Sequence, residues 1–187
     1  MQLSNSIDKT SVMKKTTLFL STFILTILSF TNISAQTSFE VPPNVQLDVK
    51  EDYAKYEQDV IAASKWLETN DLGKEEAKRK EVSAFVMKWI IGSPTVNISM
   101  GEHLLKVYDK NASLLIIYMG SYTRYYLENK ATATPYLATK AALISMMTVY
   151  KKGIDISRSK EMERLIKATD ENKLDEYIVD KMKVAQN

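Results

Sequence analysis

The chain has 187 residues, with 25 Lys and Arg, 23 Asp and Glu, one His and no Cys. The lack of Cys excludes a disulfide framework and a cysteine nucleophile. The near-balance of charge gives no broad basic surface, so neither nucleic acid nor an anionic membrane is expected as a partner.

The first 35 residues have the features of a signal peptide. Two lysines precede an uncharged apolar stretch over residues 16–30, and the small Ser34 and Ala35 stand where a signal peptidase would cut. The apolar stretch is shorter than the roughly 20 residues that span a bilayer, and no cluster of charges follows it. We therefore predict a periplasmic or secreted protein with no membrane span after cleavage. Met13 is an alternative start.

Cleavage after Ala35 would remove three Lys and one Asp, which leaves 22 basic and 22 acidic residues. Residues 36–47 are predicted to form an extended lead-in, because Pro42 and Pro43 cannot continue a helix. Residues 48–187 are expected to form one all-α domain. A domain of that length buries about two-thirds of the surface of its unfolded chain, so it can be stable without disulfides.

Apolar residues recur at helical spacing through the rest of the chain, and no pair of strands is indicated. The pattern predicts helices over residues 49–68, 74–91, 100–110, 114–129, 135–152, 159–169 and 174–184. The connections are short, as in helical bundles. We predict an all-α fold, a single multi-helix bundle of five to seven helices. The alternative is a stack of helical hairpins of the tetratricopeptide type.

The most sharply defined helix face lies within residues 81–96. Five apolar residues follow one another at i, i+3, i+4, i+7 and i+8: Val82, Phe85, Val86, Trp89 and Ile90. Three further apolar residues are expected to widen this face: Ala84, Met87 and Ile91. Gly92 is expected to end the helix in a left-handed conformation, and Pro94 prevents its continuation.

Helix starts and one interior glycine give further expectations. Thr134 is expected to cap the helix that begins at Pro135, and Ser159 to cap the helix after it. Gly120 stands inside a strongly apolar helix. An interior glycine costs about 1 kcal/mol relative to alanine, so it often marks a close helix crossing. We expect the second, fourth and fifth predicted helices to form the centre of the bundle.

Residues with obvious catalytic or metal-binding chemistry are few. The single histidine, His103, has no partner at the spacing of a metal site, and no phosphate-binding or nucleophile motif occurs. Acidic residues are so many that no carboxylate pair stands out as a glycosidase pair. We therefore assign no catalytic residue, no metal site and no cofactor.

A Tyr-rich helix carries the only candidate binding residues. Tyr122, Arg124, Tyr125 and Tyr126 could form part of a groove for a sugar or peptide, because Tyr combines apolar area with a hydroxyl. The other interpretation is an aromatic core stripe whose hydroxyls reach the boundary, since helical spacing alone produces such a stripe.

These features favour an exported, non-catalytic module that binds a protein, peptide or glycan. The alternative is a small hydrolase or lyase that works with carboxylates and Tyr. That alternative would gain support if exposed Tyr122, Tyr125 and Arg124 converged with an acidic pair whose pKa values were pushed apart.

Several stretches of the chain resemble a group of uncharacterised exported helical proteins of Gram-negative bacteria. The similar stretches are Lys65-Trp66-Leu67-Glu68-Thr69, Lys78-Arg79-Lys80, Lys88-Trp89-Ile90-Ile91-Gly92-Ser93-Pro94-Thr95-Val96, Met119-Gly120-Ser121-Tyr122-Thr123 and Tyr150-Lys151-Lys152. Together they span most of the mature domain. The resemblance implies an exported helical fold, and it implies no activity, cofactor or catalytic residue.

Overall fold

The computed structural model describes residues 38–186, and every regular element within them is an α-helix. The eight helices are α1 (Lys50–Lys55), α2 (Glu57–Thr69), α3 (Glu76–Gly92), α4 (Glu102–Tyr108), α5 (Ser113–Glu128), α6 (Pro135–Lys151), α7 (Lys160–Asp170) and α8 (Leu174–Asp180). The predicted all-α, multi-helix bundle is confirmed. Across residues 38–186, no helix has the length and apolar character to cross a membrane. The predicted signal peptide over residues 1–35 and the alternative start at Met13 lie outside the described residues.

Helix α5 lies at the centre of the bundle. Nine of its sixteen residues are buried, and its most extensive contacts are with α6 and α2. Helix α3 packs mainly on α2. The centre therefore consists of α2, α5 and α6, and α2 takes the place that the sequence pattern assigned to α3.

The close crossing predicted at Gly120 brings α5 against α2. A Cβ atom added at Gly120 would lie 3.2 Å from Ser64 Oγ and 3.4 Å from Ser64 Cβ. These distances are tight for any side chain, so glycine lets the two helix backbones approach each other. The close helix packing offsets the destabilising effect of an interior glycine here.

The apolar stripe of α3 is confirmed, but the helix is buried on one face only. The five predicted residues are all buried: Val82, Phe85, Val86, Trp89 and Ile90. The expected widening of this face is wrong. Ala84 is exposed, Met87 is half-buried and Ile91 is 78% exposed. The difference arises because α3 lies at the outside of the bundle and contacts its neighbours along a single stripe.

Gly92 ends α3 for a reason different from the predicted one. It is the last helical residue, and it does not have the positive φ that a left-handed helix end requires. A Cβ atom at this position would lie 1.8 Å from Tyr53 Oη, which is an overlap. Gly92 is therefore needed for the close approach of the Tyr53 side chain, whose hydroxyl donates a hydrogen bond to the Leu47 carbonyl at 3.3 Å.

The helix predicted over residues 49–68 is interrupted at Tyr56, which raises the number of helices to eight. The indole N–H of Trp89 donates a hydrogen bond to the Tyr53 carbonyl at 3.0 Å. In a continuous helix that carbonyl would accept from the amide four residues later. Here it accepts from the Tyr56 amide, three residues later, at 3.2 Å, and the helical ladder breaks where the donor from α3 enters it. The Trp89 hydrogen bond joins α3 to α1.

The lead-in packs along α3 without forming a helix or strand. Phe39 is buried and stacks on Phe85 with 6.2 Å between ring centroids. Lys78 pairs with Glu40 at 2.6 Å near the start of α3, and Lys88 donates to the Val45 carbonyl at 3.1 Å further along. The first described residues therefore cover part of the outer helix.

Two predicted helix caps are confirmed. Thr134 Oγ1 accepts a hydrogen bond from the Leu137 amide at 3.2 Å, with Pro135 as the first helical residue. Ser159 Oγ accepts from the Met162 amide at 3.4 Å at the start of α7. Each cap satisfies an amide that has no partner within its helix.

Truncation of Trp89 tests its place in the core. Trp89 is fully buried and bonds across to α1. We expect Trp89→Ala to lower the free energy of unfolding by about 3–5 kcal/mol, because it leaves a large cavity. Ile91→Ala on the same helix should change it by less than about 0.5 kcal/mol, since Ile91 is mostly exposed. Urea unfolding measures both values. Equal effects would contradict the one-sided burial of α3.

Candidate functional site

The four residues predicted to bind a ligand lie in two different environments. Tyr122 is only 2% exposed, and its hydroxyl donates to the Asn97 carbonyl at 3.2 Å. Burial raises the pKa of the Tyr122 hydroxyl well above its ordinary value. Tyr125 and Tyr126 are half-buried. Tyr122 is thus part of the core, as the second interpretation of the aromatic stripe holds. A binding role for Tyr125 and Tyr126 stays a prediction.

The Tyr rings on one side of α5 form a continuous series. The Tyr122 ring stacks on that of Tyr126 with 5.3 Å between centroids and lies 6.3 Å from that of Tyr118. Tyr118 is buried, and its hydroxyl lies 3.5 Å from the hydroxyl of Thr139 on α6. The series fills the space beside α5, and such ring pairs stabilise a core beyond the area that they bury.

Arg124 lies on another side of α5 and does meet an acidic pair. Its Nε and Nη2 donate to the two carboxylate oxygens of Glu68 on α2, at 3.0 Å and 3.1 Å. Its Nη1 donates to Glu128 at 2.9 Å. Glu68 also accepts from Ser121 at 2.8 Å and from Ser145 at 3.2 Å. One carboxylate therefore joins α2, α5 and α6.

The electrostatics of this network favour the charged forms of Arg124 and Glu128. Burial opposes the ionisation of Glu128, but the hydrogen bond from Lys65 and the charge of Arg124 outweigh it and lower the pKa of Glu128. Burial also disfavours the charged Arg124, yet Glu68 and Glu128 raise its pKa. A carboxylate whose acceptor sites are filled by Arg and Ser has little freedom for proton transfer. The network suits a structural role.

A second cluster of charged residues surrounds the start of α7. A pocket of about 520 Å³, here called the cationic pocket, is lined by Lys110, Arg158, Lys160, Glu163 and Arg164. Four of these five side chains are basic. They come from the turn after α4, the linker after α6 and the first turns of α7. The local charge is therefore strongly positive on a chain whose overall charge is nearly balanced.

A neighbouring pocket of about 470 Å³, here called the mixed pocket, shares Lys110 and Lys160 with the cationic pocket. Its other lining residues carry acidic, basic, apolar and hydroxyl groups: Glu102, Leu105, Lys106, Asp109, Ser159 and Glu161. Leu105 is 47% exposed. The two pockets together form one surface between α4 and α7, which we call the α4–α7 surface.

Hydrogen bonds fix the backbone beneath this surface. The side chain of Asn111 accepts from the Ser157 amide at 2.7 Å and donates to the Ser157 carbonyl at 2.8 Å. The Tyr150 hydroxyl accepts from the Ser159 amide at 3.0 Å and donates to Glu163 at 3.0 Å. Asn111 and Ser159 are buried. Asn111, Ser157 and Ser159 are each next in sequence to a basic residue that lines the cationic pocket.

Two of the four basic side chains have no acidic partner in the described part of the chain. Lys110 and Lys160 make no ion pair or hydrogen bond there. Arg164 pairs with Glu161, and Arg158 lies 3.8 Å from Glu163. Both arginines are largely exposed. The pocket therefore offers positive charge that the other residues in the range 38–186 do not fully neutralise.

His103 lies beside the same surface and bonds to α8. Its Nε2 is 2.6 Å from the Tyr177 hydroxyl and 3.9 Å from a Glu161 carboxylate oxygen. Burial lowers the pKa of His103 despite the opposite effect of Glu161, and burial raises the pKa of Tyr177. Within residues 38–186, no three side chains of His, Cys, Asp or Glu come together as a metal site would require.

The sequence pattern gives little indication of the cationic pocket. Lys110 is distant in sequence from Arg158, and the Asn111–Ser157 hydrogen bonds help to bring them together. Arg158, Lys160 and Arg164 stand around the start of a helix, where the helix dipole disfavours positive charge. Glu161 and Glu163 in the first turn of that helix offset this effect, so the local pattern does not single out the site.

No family model matches the chain, and no curated protein or solved structure shows significant similarity to it. The resemblance to exported helical proteins therefore stays a prediction. The chemistry of the α4–α7 surface has to be inferred from its own residues.

Neutralising Glu68 tests the network that joins the central helices. We expect Glu68→Gln to lower the free energy of unfolding by about 1–3 kcal/mol, because the partly buried Arg124 loses the charge of its bidentate partner. The control is Glu171→Gln, which removes exposed pairs with Lys173 and Lys167 and should have a much smaller effect. Urea unfolding compares them. Equal losses would contradict the central role of Glu68.

The lowered pKa of His103 predicts a pH dependence of stability. The unfolded chain, in which the pKa is about 6.5, binds a proton more readily than the folded protein. The contribution of neutral His103 to the free energy of unfolding is therefore fully present above about pH 6.5. It is lost as the pH falls through the lower pKa that His103 has in the folded protein. We expect the free energy of unfolding to decrease from about pH 7.5 to about pH 5.5, and His103→Gln to reduce that slope. An unchanged slope in the variant would assign the effect to other groups.

Proposed function

We propose that the chain is an exported, non-catalytic binding module that acts in the periplasm or outside the cell and binds its ligand at the α4–α7 surface. The proposal of export rests on the basic, apolar and small-residue pattern of residues 1–35. A protein, a peptide or a glycan could occupy a surface of this kind.

One observation supports binding at this surface above the rest. Lys110 and Lys160 belong to both pockets, have no acidic partner among the described residues, and flank backbone that is already fixed by Asn111 and Ser159. Because this backbone is fixed before binding, ordering of the main chain adds little to the entropic cost when a ligand arrives. Convergent polar groups beside a concave surface are the usual features of a ligand site.

The alternative function, a hydrolase or lyase that uses carboxylates and Tyr, has one observation in its favour. His103, Tyr177 and Glu161 lie close together, and they are groups that can transfer protons. Of these three, Glu161 lines the mixed pocket, whereas His103 and Tyr177 line neither the mixed nor the cationic pocket. A catalytic acid or base must come within hydrogen-bonding distance of its substrate. The geometry therefore favours binding over catalysis.

Site-specific photo-crosslinking tests binding at the α4–α7 surface. A benzophenone amino acid is introduced at Leu105, which lines the mixed pocket, or at Ile144 on α6 as a control. The two positions are 47% and 46% exposed. Benzophenone reacts with C–H bonds of peptides and glycans alike, so irradiation of the producing cells can capture either class.

We expect a discrete adduct from position 105 and none from position 144. Adducts of equal yield at both positions would indicate non-specific contact and would contradict the proposal. The absence of any adduct at position 105 would also contradict it, provided that the labelled protein is exported and folded.

A further inference from the structure

We infer that the ligand of the α4–α7 surface is an acidic peptide segment of a partner protein, in which carboxylate side chains stand next to an apolar residue. The inference rests on the proposed binding function and adds the chemical class of the ligand. It depends on the different charges of the two adjoining pockets.

The cationic pocket selects for negative charge. It holds four basic side chains, and the single acidic one, Glu163, is already bonded by the Tyr150 hydroxyl. Carboxylates can accept two parallel hydrogen bonds from an Arg guanidinium, and Lys adds point charge at short range. Arg158 and Arg164 are exposed enough to turn toward an incoming anion. Asp or Glu side chains therefore complement this pocket.

The mixed pocket distinguishes a peptide from a polyanionic glycan. Three acidic side chains line it, those of Glu102, Asp109 and Glu161, and they balance its three lysines, Lys106, Lys110 and Lys160. A sulfated or uronic polysaccharide carries negative charge along its whole length, and this pocket offers no net positive charge to its continuation. A peptide can place its charges in the cationic pocket and continue with neutral residues, whose backbone N–H groups can donate to these carboxylates.

Leu105 indicates that an apolar residue of the ligand adjoins the acidic ones. Its side chain is half exposed within the mixed pocket, among charged neighbours. An apolar side chain of the ligand would cover it and remove apolar area from water on both partners. The favoured sequence is thus a short acidic run that continues into one or two apolar residues.

Fluorescence anisotropy with the exported protein, purified from the producing cells, tests this inference. The probe is a fluorescein-labelled peptide of six glutamates followed by two leucines. One comparison peptide has glutamine in place of glutamate, and dextran sulfate represents a polyanionic glycan. We expect the acidic peptide to bind, the glutamine peptide to bind at least about tenfold more weakly, and binding to weaken as salt rises.

Two double variants with the same change in charge locate the site. Lys110→Gln with Lys160→Gln should weaken binding of the acidic peptide about tenfold or more. Lys50→Gln with Lys80→Gln removes two exposed lysines that make no ion pair in the described chain, and it should leave binding within about twofold. Thermal melts of both variants check that they are folded.

Three results would overturn the inference. The first is an equal loss of binding in the two double variants, and the second is equal binding of the glutamine peptide. The third is dextran sulfate binding more tightly than the peptide with the same dependence on Lys110 and Lys160. If any of these occurs while position 105 still gives its specific adduct, the binding function stands and only the ligand class is wrong. If the adduct is absent as well, both fail.

Discussion

The bundle depends on the close approach of α5 to α2. Gly120 permits it, because any side chain there would press on Ser64. Beside this contact, Glu68 accepts hydrogen bonds from Ser121, Arg124 and Ser145, so that one carboxylate holds three helices. Close packing alone favours many helix arrangements with similar energy, whereas a partly buried charge is satisfied in only a few. The contact at Gly120 and the network at Glu68 together fix the position of α5.

Two side chains connect the central helices to the α4–α7 surface through hydrogen bonds. Asn111 stands just before α5 and bonds to the backbone of Ser157 in the linker before α7. Tyr150, near the end of α6, bonds to the amide of Ser159. Hydrogen bonds with Asn111, just before α5, and with Tyr150, in α6, therefore hold the linker in place. The basic residues of the cationic pocket are neighbours in sequence of these fixed positions, so their arrangement is a consequence of core packing.

Local patterns predicted much of this fold, and long-range contacts account for what they missed. The α3 stripe, the caps at Thr134 and Ser159 and the crossing at Gly120 follow from helical spacing and local hydrogen bonding. The break at Tyr56 depends on a donor from Trp89, which no local pattern contains. The burial of Tyr122 agrees with the core interpretation of the aromatic stripe, which follows from helical spacing, although Tyr also suits a binding surface. The cationic pocket depends on a contact between distant segments and was not predicted at all.

The hydrogen-bonded backbone beneath the cationic pocket, here called the frame, connects this fold to ligand binding. Hydrogen exchange of the ligand-free protein measures the rigidity of the frame directly. The amides of Ser157 and Ser159 donate to Asn111 and Tyr150. If the frame is formed before binding, both amides should exchange at least about a hundredfold more slowly than in an unstructured chain. Exchange at the rate of an unstructured chain would show that the linker moves freely, and it would contradict a pocket that is organised in advance of its ligand.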